Sequence, residues 1–280
     1  MWLAVDAAGG AVRAWPVGGD GNAGEARDTS DLAEAVMAFG EKPGCAVIDG
    51  AAVSLTVACP AGTPELSAAV KESQELGVPC HFLPMLSAPD QTPVAVARAL
   101  GALAQLQAER PTAARHLVCI VDARATWVHA EGGRFARLSC RPIAAALQQA
   151  LGRPEAAQAG ATDEDDDVGF ERGLSLTEAS GDPGDAISQA LARAAAGDWR
   201  GGALGAALAG ALIGADAAKG LRLGRLGGPL GLVGDGLLAQ RYAVALGRFG
   251  VAVRRLQPRA AFIRGCQTLA AARGLIPAKP

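Results

Sequence analysis

Aromatic residues are scarce, at 4% of 280 residues, with a single tyrosine among them. A chain so short of rings must build its core from Ala, Leu and Val. Half of its residues are hydrophobic, so a sizeable core, or two of ordinary size, is within reach. Histidine is scarcer still: His81, His116 and His129 lie far apart, and no HExxH or clustered Cys/His pattern offers a zinc site. The cysteines Cys45, Cys59, Cys80, Cys119, Cys140 and Cys266 form no CxxC pair and mostly have apolar neighbours. They read as reduced core thiols rather than as a disulfide framework. No excess charge of either sign exists, the formal net charge being −2, which excludes the broad basic surface that a nucleic-acid partner demands. The chain does not open on a basic segment followed by an apolar run, so no secretory signal is expected. The longest apolar stretch, Ala203 to Ala218, is interrupted by Gly210, Gly214 and Asp216 and reads as a buried helix rather than a membrane span. These absences point to a cytoplasmic protein with neither nucleic acid nor membrane as a partner.

What is present alternates between strand and helix. Trp2 to Asp6 is a strand that returns through Ala11 to Val17 as a hairpin, and Asp31 to Phe39 is a short helix. Further strands are expected at Cys45 to Ile48, which Asp49-Gly50 follows, at Val53 to Ala58 and at His81 to Leu86. Thr92-Pro93 opens a helix that runs to Glu109. His116 to Asp122 is a buried strand, and Glu131-Gly132-Gly133 turns a hairpin between Thr126–His129 and Arg134–Leu138. Pro142 to Leu151 reads as a helix, and Gly152 to Asp167, with its acidic run from Asp163, as a solvated loop. Helices at 185–196, 201–219, 237–248 and 260–273 then enclose strands at 228–233 and 251–256. This rhythm is that of an α/β protein.

Two places have the residue types that phosphate chemistry uses. Asp6 ends the first strand beside the small-residue turn Ala7-Ala8-Gly9-Gly10. An acid there can place magnesium while Gly9 and Gly10 approach phosphate, or it is an ordinary strand-end acid. Gly234-Asp235-Gly236 follows a strand and precedes a helix, a position where backbone N–H groups favour an anion. The bland reading is a tight strand-to-helix turn. No GxxxxGK[ST], no GxGxxG with an acid about twenty residues on, and no GxSxG supports another assignment.

The C-terminal half resembles the 2-dehydro-3-deoxygalactonokinases, sugar-acid kinases of the acetate-kinase, hexokinase and actin-like ATPase superfamily. The resemblance is carried by Ala209-Gly210-Ala211-Leu212-Ile213-Gly214-Ala215-Asp216, by Gly234-Asp235-Gly236-Leu237 running on to Arg241-Tyr242, and by Phe170-Glu171-Arg172-Gly173-Leu174. Nearer the N-terminus, Asp6 and Arg13-Ala14-Trp15 match the acid, arginine and tryptophan of the family's I-D-W-G-T/S-T-N-x-R-A-W, while its hydroxyls are missing. The family's P-G-T-H-S-K-W-V falls on Val121 to Val128, where Trp127 and Val128 remain but Asp122, Ala123, Arg124 and Thr126 replace the polar residues. Its T-G-E turn falls on Cys140-Arg141-Pro142, and its R-G-E-E has no nearer counterpart than Ala97-Arg98-Ala99-Leu100.

The resemblance implies two ribonuclease-H-like α/β lobes around a cleft. The first is expected over 1–110, with a possible return of 271–280, and the second over 111–270. It implies transfer of the ATP γ-phosphoryl group to O6 of 2-dehydro-3-deoxy-galactonate with magnesium. Asp6, Asp122 and Arg124 would be catalytic, Asp6 would also serve the metal, and Gly9, Gly10, Gly234, Asp235 and Gly236 would face the nucleotide. The losses leave two readings. One is a divergent kinase of weak activity. The other is a non-catalytic homologue that binds a sugar acid or regulates, alone, as an oligomer or with a protein partner.

Overall fold

The computed structural model describes residues 1–8, 11–39, 42–50, 55–74, 76–122, 124–141, 163–197 and 202–276. The expected helix at 142–151 and the residues Gly9, Gly10 and Ala123 lie outside them. The first sheet is built from β1 (Trp2–Asp6), β2 (Val12–Val17), β3 (Arg27–Thr29), β4 (Ala46–Asp49), β6 (Lys71–Ser73) and β7 (Cys80–Phe82), in the order β3-β2-β1-β4-β7-β6. The first hairpin pairs antiparallel, then β4 and β7 join β1 in parallel. Two helices accompany this region, α1 (Leu32–Met37), whose N-cap is Asp31, and α2 (Thr63–Ala68).

The second sheet repeats that plan. Its strands β10 (Arg115–Val121), β11 (Ala125–Glu131), β12 (Arg134–Arg141), β13 (Leu230–Val233) and β14 (Val253–Leu256) run in the order β12-β11-β10-β13-β14. An antiparallel meander again precedes two parallel neighbours on the other side of the first strand. The parallel strands need crossover connections, and helices supply them. The duplicated sheet gives a two-lobed α/β architecture.

One pair of helices belongs to both sheets. The helix α3 (Ala97–Glu109) crosses α8 (Pro258–Ala272) so closely that a methyl group on Gly101 would stand 1.7 Å from the carbonyl oxygen of Ala261. Reciprocally, one on Gly265 would stand 1.9 Å from that of Ala97. A single hydrophobic cluster runs through this crossing from Trp2, Ala4 and Trp15 in the first sheet to Val118, Ile120 and Val233 in the second. Trp15 meets Phe262 of α8 with ring centroids 5.1 Å apart.

A second close seam joins α4 (Asp163–Ser180) to α6 (Gly202–Leu221), flanked by α5 (Pro183–Ala195). A methyl on Gly173 would reach 1.9 Å from Ala207 O, and one on Gly210 would reach 2.1 Å from Phe170 O. The helix over Ala203–Leu221 is long and apolar enough to cross a membrane by length and composition, but 61% of that window is buried inside the fold. The helix α7 (Gly236–Arg248) covers the second sheet with Tyr242, Ala245 and Leu246. All six cysteines are free thiols.

Three expectations are corrected. Of the loop expected over Gly152 to Asp167, residues 152–162 lie outside the described residues, and the acidic run from Asp163 opens α4 instead. The stretch from His81 to Leu86 is not one strand: β7 ends at Phe82, and Met85–Ser87 forms β8 in a small third sheet with β5 (Thr56–Ala58) and β9 (Val94–Ala95). The helix expected from Thr92 begins at Ala97, because Val94 and Ala95 pair with β8 and a buried side chain takes up the first helical N–H groups.

The crossing yields a stability test. Gly101→Ala should lower unfolding free energy by roughly 2–4 kcal/mol, since its methyl meets backbone that cannot rotate away. In contrast, Gly247→Ala, with nothing within 4 Å of the added carbon, should be neutral or stabilising by up to about 1 kcal/mol. Urea denaturation of the two variants checks both signs.

Candidate active site in the cleft

The N-terminus of α3 has no local cap. Val96 occupies the N-cap position and supplies no side-chain hydrogen bond. Asp49, at the end of β4, takes the role instead: its Oδ1 accepts from Val96 N at 3.2 Å and its Oδ2 from Ala97 N at 2.8 Å. Asp49 is 1% exposed, and burial pushes its carboxyl up to about 7 despite those two donors. Beside it, Gly50 has φ +86°, and a side chain there would collide with Ala8 at 2.7 Å. This glycine lets the turn after β1 lie against the end of β4.

Asp6 stands level with Asp49 in the parallel register of β1 and β4. Its Oδ1 accepts from Ala8 N at 3.1 Å, and its Oδ2 from the guanidinium of Arg98. The other arm of Arg98 lies 3.5 Å from Asp122 Oδ2. Asp6 follows the first strand of one sheet and Asp122 the first strand of the other, so one guanidinium on α3 ties together the equivalent ends of both sheets. Arg124 is brought beside Asp122 only through the backbone, its N–H donating to Asp122 Oδ1 at 2.9 Å and its carbonyl accepting from Asp122 N at 3.1 Å. Among the described residues no ion pair joins Arg124 to Asp6 or Asp122.

The glycine turn divides in two. Gly234 is a packing glycine, for a methyl there would meet Ala239 Cβ and Val121 O at 2.9 Å. Gly236 has φ +70° and open space around it. Asp235 is the N-cap of α7 but makes no side-chain cap bond, which leaves first-turn N–H groups to an outside acceptor. The hydrogen bond to Asp28 raises the Arg13 guanidinium, and the fields of Asp6 and Asp235 add to it.

Behind the cleft lies a residue that the motifs contained without revealing its part. Asp216, 3% exposed, accepts from Trp127 Nε1 and from Tyr242 Oη, each at 2.8 Å, and pairs with Arg141. Burial, reinforced by Asp216, raises the Tyr242 hydroxyl strongly. Four elements of the second lobe meet on this carboxylate. Arg141, at the end of β12, supplies its countercharge.

A phosphate group fits the open start of α7. Magnesium fits Asp6 poorly: one carboxylate oxygen already accepts an amide, the other a guanidinium, and a divalent ion would have to displace Arg98 from it. No cluster of three or more Asp, Glu, His or Cys suited to a metal occurs among the described residues. Motif reasoning named Arg98, in the nearest counterpart of the family's R-G-E-E, and Asp49, after a strand, but gave neither a role in the site. The one available signal was positional, an acid directly after a strand in both β1 and β4, and a lone cation at the start of an apolar helix.

Asp49 gives a pH test. Its folded value lies above the unfolded one, so its contribution is full below about pH 4 and is lost as pH rises through 7. Asp49→Asn keeps a neutral side chain throughout. Relative to this variant, the unsubstituted protein should lose about 2–3 kcal/mol of stability between about pH 5 and about pH 8. Paired urea titrations at the two pH values measure the difference, and burial-lowered His81, His116 and His129 cancel in it.

The comparisons agree with this architecture. The sequence profile of the 2-keto-3-deoxy-galactonokinase family matches residues 49–269. A protein from Sinorhizobium meliloti provisionally assigned as a 2-dehydro-3-deoxygalactonokinase superposes with a TM-score of 0.82 at 22% identity, over 99% of this chain and 100% of its own. Component A of the (R)-2-hydroxyglutaryl-CoA dehydratase of Acidaminococcus fermentans shares the fold more distantly, with a TM-score of 0.51 at 10% identity over 96% of each chain. A search among curated proteins found no match. With its profile spanning well over half of the sequence, the chain belongs to the 2-keto-3-deoxy-galactonokinase family.

Proposed function

We propose that this family member has lost phosphoryl transfer, or keeps only a trace of it, and that its cleft binds a sugar acid without turning it over. The observation that carries the reading is the Asp6–Arg98–Asp122 bridge. Phosphoryl transfer is catalysed almost entirely by placing cations and hydrogen-bond donors around the moving group. Here the acid best placed to hold magnesium is neutralised from within. A metal at Asp6 has to break a partly buried ion pair and then share the space with a displaced guanidinium.

Two further losses support the same reading. No hydroxyl lies between Asp6 and Arg13, so that turn offers phosphate only backbone donors. Arg141, standing where the family's glycine is expected, is committed to Asp216. Each missing transition-state contact costs roughly 10²–10³ in rate. The profile match begins at residue 49 and leaves out the Asp6 turn.

A coupled ADP-release assay with ATP, magnesium and 2-dehydro-3-deoxy-galactonate tests the reading. The expected rate is close to that of a protein-free control and is unchanged in Asp6→Ala. Robust turnover that Asp6→Ala abolishes would establish a divergent kinase instead. Calorimetry with ATP and magnesium should give a dissociation constant weaker than about 1 μM, equivalent to less than about 8 kcal/mol; sub-micromolar affinity would mean that substitute phosphate contacts are well formed.

A further inference from the structure

At the far end of the second sheet from the cleft, a cavity of about 590 Å³ opens between the strand ends and the segment after α6. Four arginines line it, Arg115, Arg137, Arg222 and Arg225, against the single carboxylate of Glu131. Arg115 is held by Glu131 at 2.8 Å, and Arg137 donates to Leu223 O at 3.2 Å. Arg222 and Arg225 are exposed and make no ion pair among the described residues. The wall also contains His129, 5% exposed, neither of whose ring nitrogens has a hydrogen-bond partner. Its ring lies flat against Gly224, where a methyl would come within 2.1 Å of it.

Helix-end charge accounts for one of these cations, because Arg222 follows the C-terminus of α6. The pair with Glu131 accounts for Arg115 and the contact with Leu223 O for Arg137. None of these contacts explains Arg225 or the gathering of four guanidinium groups around one carboxylate. The cavity has the size of a small-molecule site. Its excess positive charge suits a dianion better than a single carboxylate, and guanidinium forks match phosphate oxygens. Asp122 and Arg115 lie at opposite ends of β10, about 20 Å apart at strand rise, so this site and the cleft are separate.

We propose that the cavity binds a small phosphorylated anion, with Arg222 and Arg225 gripping the phosphate beside the buried ring of His129. The probe is glycerol 3-phosphate, which is not a sugar acid and so is no ligand of the kind proposed for the cleft, titrated by calorimetry and followed by the ring-proton resonances of the histidines, of which there are three. Saturable one-to-one binding is expected, weakened about tenfold or more in Arg222→Ala/Arg225→Ala and within about twofold of the original in the cleft variant Arg124→Ala. The His129 resonance should shift while those of His81 and His116 stay in place, and this readout needs no substitution. Glycerol binding as tightly as its phosphate ester, an unmoved His129, or a loss confined to Arg124→Ala would each overturn the proposal. So would a short single-stranded oligonucleotide that outcompetes the probe at about 0.15 M salt, which would make the patch a nucleic-acid contact.

Discussion

The position of α3 is the constraint on which the rest of the molecule depends. Two contacts fix it. The Gly101–Gly265 crossing sets its distance from α8, and Asp49 accepts the first free N–H groups at its start. With both in place, Arg98 emerges between the ends of β1 and β10 and meets Asp6 and Asp122 together. A helix displaced by the width of one methyl group would part that bridge. Packing of small residues deep in the core thus decides the electrostatics of the cleft.

The same logic explains why certain family motifs survive in a chain that has shed others. Phe170-Glu171-Arg172-Gly173-Leu174 and Ala209 to Asp216 are two sides of one helix seam, in which Gly173 and Gly210 allow the backbones to touch. The seam leads to Asp216, and through it to Trp127, Tyr242 and Arg141. A carboxylate so deeply buried must keep its donors, because removing one leaves a charge without compensation. Residues of this kind preserve a fold whether or not a reaction is run on it.

Much of the fold was legible because it is written in local patterns. The apolar runs of β1, β10 and β13, the Glu131-Gly132-Gly133 turn and the small-residue helices appear within a residue or two of expectation. What stayed hidden was set by distant partners. The helix signal at Thr92-Pro93 is sound chemistry, yet β8 claims Val94 and Ala95 first. Asp163 to Asp167 looked like a loop, since five acids carry no apolar period, but α4 gains its stability from the Gly169 to Thr177 face against α6. In the cleft, Asp6 and Asp122 could be named from motif position, whereas their shared counterion lies 92 residues from the first in sequence. No spacing rule reaches that far.

The bridge is also what the proposed loss of phosphoryl transfer rests on. Losing a catalytic acid leaves an uncompensated cavity or an idle surface, and a compensating group elsewhere can restore function. Here Asp6 remains, and its carboxylate pairs with the guanidinium of Arg98. An ion pair held in place by the fold competes with any metal at constant, very high effective concentration, because its two halves need no encounter. A magnesium ion must overcome that pairing, the amide bond from Ala8 and the repulsion of the guanidinium it expels. The acid and the cation bridge the ends of the two sheets, and on the reading proposed above a ligand that enters the cleft meets a carboxylate already paired.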